Sequence, residues 1–220
     1  MMTKQISKGL IYKTQDYKES SKLLFVYTAR GKQTLVAKGA KSLKSDLRFL
    51  SQYFTLIEFY DSEKTMFDLR GAQLIEPFEE IKKSYEHLKQ VSVVLEIIDR
   101  IFIEDLPHDK LFELIVSFLS EVQPEIASMA ISLKVLYALG YGLNFKGDHP
   151  LGFNLEHASV ATIENKLPIS LDLETTICLS QLYFMKKDDQ IDLTEKARKQ
   201  IWSLIKAFYQ YHLDYNIKSI

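Results

Sequence analysis

The sequence predicts an α+β protein: a five-stranded β-barrel of the OB type over residues 1–78, followed by an all-α helical domain over residues 79–220. Three observations carry the prediction. Short runs rich in aliphatic, β-branched and aromatic residues crowd the first third of the chain. Glycine is absent from residues 72–139 and 153–220, as expected of helical spans, because glycine destabilises helix interiors and serves turns. The charge also divides: residues 1–50 hold 11 Lys or Arg against Asp16, Glu19 and Asp46, a balance of +8, while the remainder of the chain carries −9.

The strand signals come in order. "GLIYKT", "KLLFVYTA" and "TLVAK" have strand composition, with "RGKQ" turning around Gly31. "FTLIEFY" and "TMFDLRGAQLI" read as a second pair around the polar turn "DSEK". Five strands interrupted between the third and fourth suit a Greek-key barrel of the OB type, and an SH3-like barrel fits the same count.

From Pro77 the apolar period changes to three- and four-residue steps through Ile81, Tyr85, Leu88, Val91, Leu95, Ile98 and Phe102, the signature of a helical face. Pro107 is expected to break that helix, and "KLFELIVSFLSEV" to start the next. Pro124 suits a first helical turn, and its helix should stop at Gly140. Residues 140–153, with four glycines and Pro150, read as a loop. Two further helices are expected over about 171–186 and 193–213, the second opened by Asp192 and Glu195 at capping-box spacing.

Composition narrows the function. The single cysteine, Cys178, excludes an intramolecular disulfide or a multi-cysteine metal site, and its apolar helical setting suggests a buried, inert thiol. The N-terminus lacks the apolar run of a signal peptide and no segment is long and apolar enough to span a bilayer, which suggests a cytoplasmic, soluble protein. No phosphate-binding glycine loop, nucleophile elbow or His-Glu-x-x-His pair occurs. His149 and His157, beside Asp148 and Glu156, lack a recognisable metal-ligand spacing, and Glu79–Glu80 and Asp188–Asp189 read as solvated surface. The sequence therefore argues against an enzyme and names no cofactor.

The functional signal is the basic stretch "LVAKGAKSLKSDLRFL", which sets Lys38, Lys41, Lys44 and Arg48 between the third and fourth strands. Lys38, Lys41 and Lys44 are three apart, a spacing that can present one positive face. Lys8, Lys13, Lys18, Lys22, Arg30 and Lys32 add charge on the flanking strands, and Tyr12, Tyr17 and Tyr27 offer rings. Cations that track phosphates, together with rings that accept bases, make a single-strand binder. The candidate DNA-contact residues are Lys13, Tyr17, Arg30, Lys32, Lys38, Lys41, Lys44 and Arg48.

Five stretches, in matching order from about residue 7 to 219, resemble RecO-type recombination mediators. "GLIYKTQDYKESSKLLFVYT" matches through Gly9, Lys13, Thr14, Tyr17, Glu19, Ser20 and Thr28, and "VAKGAKSLKS" through Ala37, Lys38, Gly39, Ala40, Lys41 and Ser45. "LFELIVSFL" and "VLYALGYGLNF" are similar to the family's helical domain, and "YHLDYNIKSI" to its close through His212, Leu213, Ile217, Lys218 and Ser219. The resemblance implies an OB fold with a helical domain. It also implies binding of single- and double-stranded DNA, strand annealing and, with RecR, loading of RecA onto DNA coated with single-strand-binding protein (SSB). The acidic C-terminal tail of SSB would dock on the helical domain, against an apolar slot with a cation such as Lys82–Lys83, Lys134 or Lys186–Lys187. Such a protein works in the cytoplasm, associated with the nucleoid. Many members carry a four-cysteine zinc site after Leu-Gly-Tyr, but "GLNFKGDHPLGFNLEHA" has no cysteine, and Asp214 stands where glycine is usual. On the residues alone, two rivals remain: an OB-fold protein for RNA or tRNA, and a small hydrolase using His149 or His157.

Overall fold

A computed structural model describes residues 5–102 and 109–219. Two compact units divide the chain: Met1–Tyr85 with Leu95–Val116, and Glu86–Val94 with Ser117–Ile220.

The first unit is built on a mixed six-stranded sheet. β1 (Ile6–Tyr17), β2 (Ser21–Thr28) and β3 (Gly31–Ala37) form an antiparallel meander, and the short helix α1 (Leu47–Leu50) lies between β3 and β4 (Leu56–Tyr60). The spatial order is β5-β3-β2-β1-β4-β6, where β5 is Met66–Asp68 and β6 is Gln73–Glu76. β5 runs parallel to β3 at one edge, and β6 runs antiparallel to β4 at the other. No ladder closes the sheet, yet adjacent residues reach both β3 and β4: Leu69 N–H donates to Val36 O (3.0 Å) and Arg70 O accepts from Tyr60 N–H (2.9 Å). The arrangement is OB-like.

The sequence prediction of five strands is thus corrected to six, because "TMFDLRGAQLI" is two strands. The break falls at Gly71, whose φ of +61° is left-handed and whose missing Cβ would collide with the Tyr60 ring. Inward-facing Ile11, Leu24, Val26, Leu35, Ile57 and Phe59 fill the core with Ala37, Ala40 and Leu69. Tyr27 is wholly buried, its ring 5.0 Å from that of Phe102 and 5.7 Å from that of Phe112.

A buried carboxylate pins this sheet. Asp61, 1% exposed, accepts from Ser7 Oγ (2.6 Å), Gln33 Nε2 (3.1 Å), Arg30 Nη1 (2.9 Å) and the Ser62 N–H (2.7 Å). Burial alone would raise its pKa, but these four donors outweigh burial and hold it below the ordinary 3.8.

The helices α2 (Glu79–Lys82), α3 (Tyr85–Arg100), α4 (Asp109–Glu121), α5 (Pro124–Ala138), α6 (Leu173–Phe184) and α7 (Glu195–Leu213) follow. Val91, Leu95 and Ile98 are buried as the period predicts, but Tyr85 is exposed, since α3 begins at it, ahead of the buried stripe. Pro107, the expected breaker, lies outside the described residues.

In the second unit, α5 is apolar on every side and its residues from Ile126 to Leu136 are nearly all buried. Its two buried serines bond within the helix, Ser128 Oγ to Pro124 O (2.8 Å) and Ser132 Oγ to Ser128 O (2.7 Å), while Tyr209 Oη of α7 donates to Ser132 O (2.9 Å). Helix α7 opens on Thr194, whose side chain accepts from Ala197 N–H, which corrects the expected cap at Asp192. Asp214 takes the left-handed conformation (φ 50°, ψ 35°) at the C-terminal cap of α7, so the turn usually made by glycine is kept. His212 packs its ring 4.1 Å from Phe208 and 5.6 Å from Tyr141, so two of the sequence motifs meet.

The span after residue 153 is not all helical. β7 (Pro150–Asn154), β8 (Ser159–Thr162) and β9 (Leu171–Asp172) form a three-stranded sheet whose β7 packs on α6. Its turns use left-handed Ala158 and Lys166 in place of glycine, so the lack of glycine misleads there. No helix among the described residues is long and apolar enough to cross a membrane.

Candidate nucleic-acid interface

The basic stretch is a ladder of turns bolted to the core. Gly39 adopts φ +75°, a reversal that L-residues resist. Ser42 N–H then donates to Gly39 O (3.0 Å), Ser45 N–H to Ser42 O (3.2 Å) and Arg48 N–H to Ser45 O (3.0 Å), leading into α1. Ala40 is fully buried, and Leu47 and Leu50 pack against the sheet core. With Ala40, Leu47 and Leu50 turned inward, Lys38, Lys41, Lys44 and Arg48 face water.

The tip of the β1–β2 hairpin joins them. Lys41 N–H donates to Ser20 O (3.0 Å) and Lys41 Nζ lies 2.9 Å from Asp16 Oδ2. Asp16 is the cross-strand partner of Lys22, and Lys18 stacks its ammonium 5.2 Å over the Tyr17 ring. Tyr17, Lys18, Lys22, Lys38, Lys41 and Lys44 therefore share one end of the sheet.

The stretch does not present a single face. Lys38 pairs with Asp68 of β5 (2.6 Å) and Lys41 with Asp16 of β1. Three inter-strand steps separate those strands, about 14 Å. Each lysine, as a hydrogen-bond donor first and a charge second, holds its carboxylate below the ordinary range. Among the described residues Lys44 and Arg48 have no carboxylate partner.

The other candidates lie elsewhere. Arg30 and Lys32 sit at the opposite end of β3, about 20 Å away by strand length, Arg30 on Asp61 and Lys32 Nζ on Asp99 O (3.2 Å). Lys13, in mid-strand, lies 3.8 Å from Asp99 and 5.1 Å over the Phe25 ring. Of the rings expected to stack, Tyr12 and Tyr27 are buried and only Tyr17 reaches solvent. Sequence reasoning missed the carboxylates that hold these cations, and it missed Phe49. With Leu47 and Leu50 turned inward one helical turn apart, the two residues between them, Arg48 and Phe49, point out.

No group of three or more His, Cys, Asp or Glu residues that could hold a metal lies among the described residues. The segment after Gly142, for which the sequence resemblance raised a zinc site, does not fit that ion: His157 Nδ1 is beside Asn154 Oδ1 (3.0 Å) and the segment contains no cysteine. The segment is fastened by asparagines instead. Asn165 accepts from the Thr162 and Leu167 N–H groups and donates to Val160 O, and Asn154 donates to Pro168 O. Cys178 is half-buried on α6, and burial, with the charge of Glu174, pushes its thiol up.

An OB-like sheet with a basic rim, followed in one chain by a helical unit, defines a two-domain protein of the OB class. Residues 2–78 match the family described as recombination protein O N terminal, and residues 83–219 match recombination protein O C terminal. The chain belongs to the recombination protein O (RecO) family. It is 30% identical over 145 residues to DNA repair protein RecO of Clostridium acetobutylicum, covering 63% of this chain and 59% of that protein. It is 21% identical over 232 positions to that of Exiguobacterium sibiricum (97% and 93%), and 26% over 231 to that of Listeria monocytogenes serotype 4b (96% and 90%). An asparaginyl-tRNA synthetase from Entamoeba histolytica aligns over 70% of this chain and 37% of its own, at 11% identity and a TM-score of 0.27, a likeness that carries no argument.

Proposed function

We propose that this chain is a DNA-repair and recombination mediator. It binds single- and double-stranded DNA on the basic rim of its first unit, anneals complementary strands and, with RecR, helps load RecA onto SSB-coated DNA. No covalent bond changes; the work is simultaneous and competitive binding. The supporting observation is the rim itself: a basic ladder anchored by Ala40, Leu47 and Leu50, on which Lys44 and Arg48 are unpaired among the described residues. Two polyanions can share such a surface because released counterions drive each contact.

Replacing Lys41, Lys44 and Arg48 together with Ala tests it. Binding should weaken whatever the base sequence, and the log–log salt slope on single strands should flatten by up to about 2. Circular dichroism should stay unchanged, since Ala40, Leu47 and Leu50 remain. An unchanged slope would refute the DNA role of the rim, and a preference for RNA of equal length would favour the RNA-binding alternative.

The SSB tail is proposed to dock on the second unit beside Lys134. Of the three cationic places considered, Lys82–Lys83 is engaged by Thr55 and Glu80, and Lys187 of Lys186–Lys187 is paired with Glu121. Lys134 stands by an aromatic group: its Nζ donates to Tyr183 O (3.1 Å), and Tyr183 contacts Tyr137, Phe145 and Phe184 at ring distances of 6.2, 5.4 and 5.0 Å. Tyr137 and Phe184 are exposed. Phe184→Ala and Lys134→Met should each weaken capture of an acidic, Phe-terminated peptide while sparing DNA binding.

A further inference from the structure

We infer that Phe49 is a base-stacking platform that lets the rim distinguish single-stranded from duplex nucleic acid. The inference rests on the DNA-binding reading above and adds to it a residue and a strand preference.

Phe49 is 67% exposed on the outer side of α1, and Leu43 is 79% exposed a short turn earlier. The local fold forces this. Leu47 and Leu50 enter the core, Phe49 N–H donates to Asp46 O (3.2 Å), and Ser51 N–H donates to Leu47 O (2.9 Å), so the ring is held outward on a fixed backbone. A turn that served only to carry charge would have no need of an exposed phenyl ring.

Charge identifies the occupant. Arg48 immediately precedes this ring in sequence and Lys44 lies a short way before it, both exposed and both without a carboxylate partner among the described residues. An unpaired cation beside a solvent-facing ring fits a phosphate with its own base alongside. A protein partner would have to bring carboxylates to meet the same charges. Tyr17 is a poorer platform because Lys18 already covers one of its faces at 5.2 Å.

The chemistry sets the strand preference. A phenyl ring offers no hydrogen bond, so it accepts any base face without reading sequence. In a duplex those faces are stacked on one another and only phosphates and groove edges are offered. Lys44 and Arg48 therefore serve both forms, and Phe49 only the unpaired one.

The test uses the full chain with oligothymidine and with a duplex of equal length, titrated at several salt concentrations. Phe49→Ala should lower single-strand affinity by roughly 5- to 150-fold, with the salt slope and the duplex affinity unchanged. Phe49→Tyr should restore binding, since a phenol ring stacks as well. Lys44→Ala with Arg48→Ala should weaken both forms and flatten the single-strand slope by about 1.4. A 2-aminopurine placed in the single strand should lose quenching in Phe49→Ala. If the parent binds both forms and Phe49→Ala loses nothing, or loses equally on duplex, this inference is overturned while the DNA-binding reading stands. A parent chain that binds neither form overturns both.

Discussion

Lys41 Nζ lies 2.9 Å from Asp16 Oδ2, so the middle lysine of the basic stretch is already partnered by a carboxylate from the β1–β2 hairpin. The pair is solvent-exposed and screened, and a phosphate can displace Asp16 at little cost. Removing the competitor should help the ligand. Asp16→Asn is expected to raise affinity for single-stranded DNA and steepen the salt slope by up to about 0.7, one more phosphate contact. A slope equal to that of the parent would show that Lys41 stays off the phosphates.

Asp61 ties β1, β3 and the β2–β3 turn to the end of β4 through Ser7, Gln33 and Arg30. Asp61→Ala should destabilise the protein by about 2–4 kcal/mol, because several donors lose one buried acceptor. Its folded pKa is lowered, so the stability it confers is complete above the ordinary value of 3.8 and drains away as pH falls below it. Urea titrations of parent and Asp61→Asn should therefore differ most near neutral pH and converge in acid. A constant difference down to the acid limit would contradict the assignment.

Local chemistry was legible in the sequence and long-range pairing was not. Aliphatic and aromatic runs marked β1 to β4, and Pro124 and Gly140 bracketed α5, because such signals act over a few residues. The break at Gly71 was hidden inside one stretch of alternating apolar and polar residues that reads as a single strand, since only its approach to Tyr60 shows why the chain must turn there. The small sheet after residue 150 escaped because its turns are made by Ala158 and Lys166 with positive φ, where glycine would have signalled them. At the rim, the cations were visible and their carboxylates were not. Lys41 meets Asp16 across 25 positions and Lys38 meets Asp68 across 30, pairings made only when the strands and the turn after β3 come together.

The cysteine-free segment makes a metal-independent prediction. Asn165 closes a turn by accepting from Thr162 N–H (2.8 Å) and Leu167 N–H (3.1 Å) while donating to Val160 O (2.9 Å). Asn165→Ala should lower stability by about 1–3 kcal/mol, and chelators should leave the parent's melting temperature unchanged. About one zinc per chain by elemental analysis would overturn the second expectation.

The last prediction concerns where the first unit ends. Tyr27 is wholly buried beneath Phe102 and Phe112, residues well past the end of the sheet in sequence but within the same compact unit. A chain truncated after Phe78 keeps every strand of the six-stranded sheet and loses both rings. Tyr27 and its neighbours would then meet water, at about 25 cal/mol for each Å² of apolar surface uncovered. The two aromatic contacts, worth roughly 0.5–1.5 kcal/mol each beyond that area, would be lost as well. The fragment should melt well below the full chain. Trimming Phe102 to Ala in the full chain should cost about 3–5 kcal/mol through the same contact. Thermal denaturation followed by near-ultraviolet circular dichroism reports the tyrosine environment directly. A fragment ending at residue 78 that melts as high as the full chain, with native tyrosine signals, would show that the sheet stands without Phe102 and Phe112.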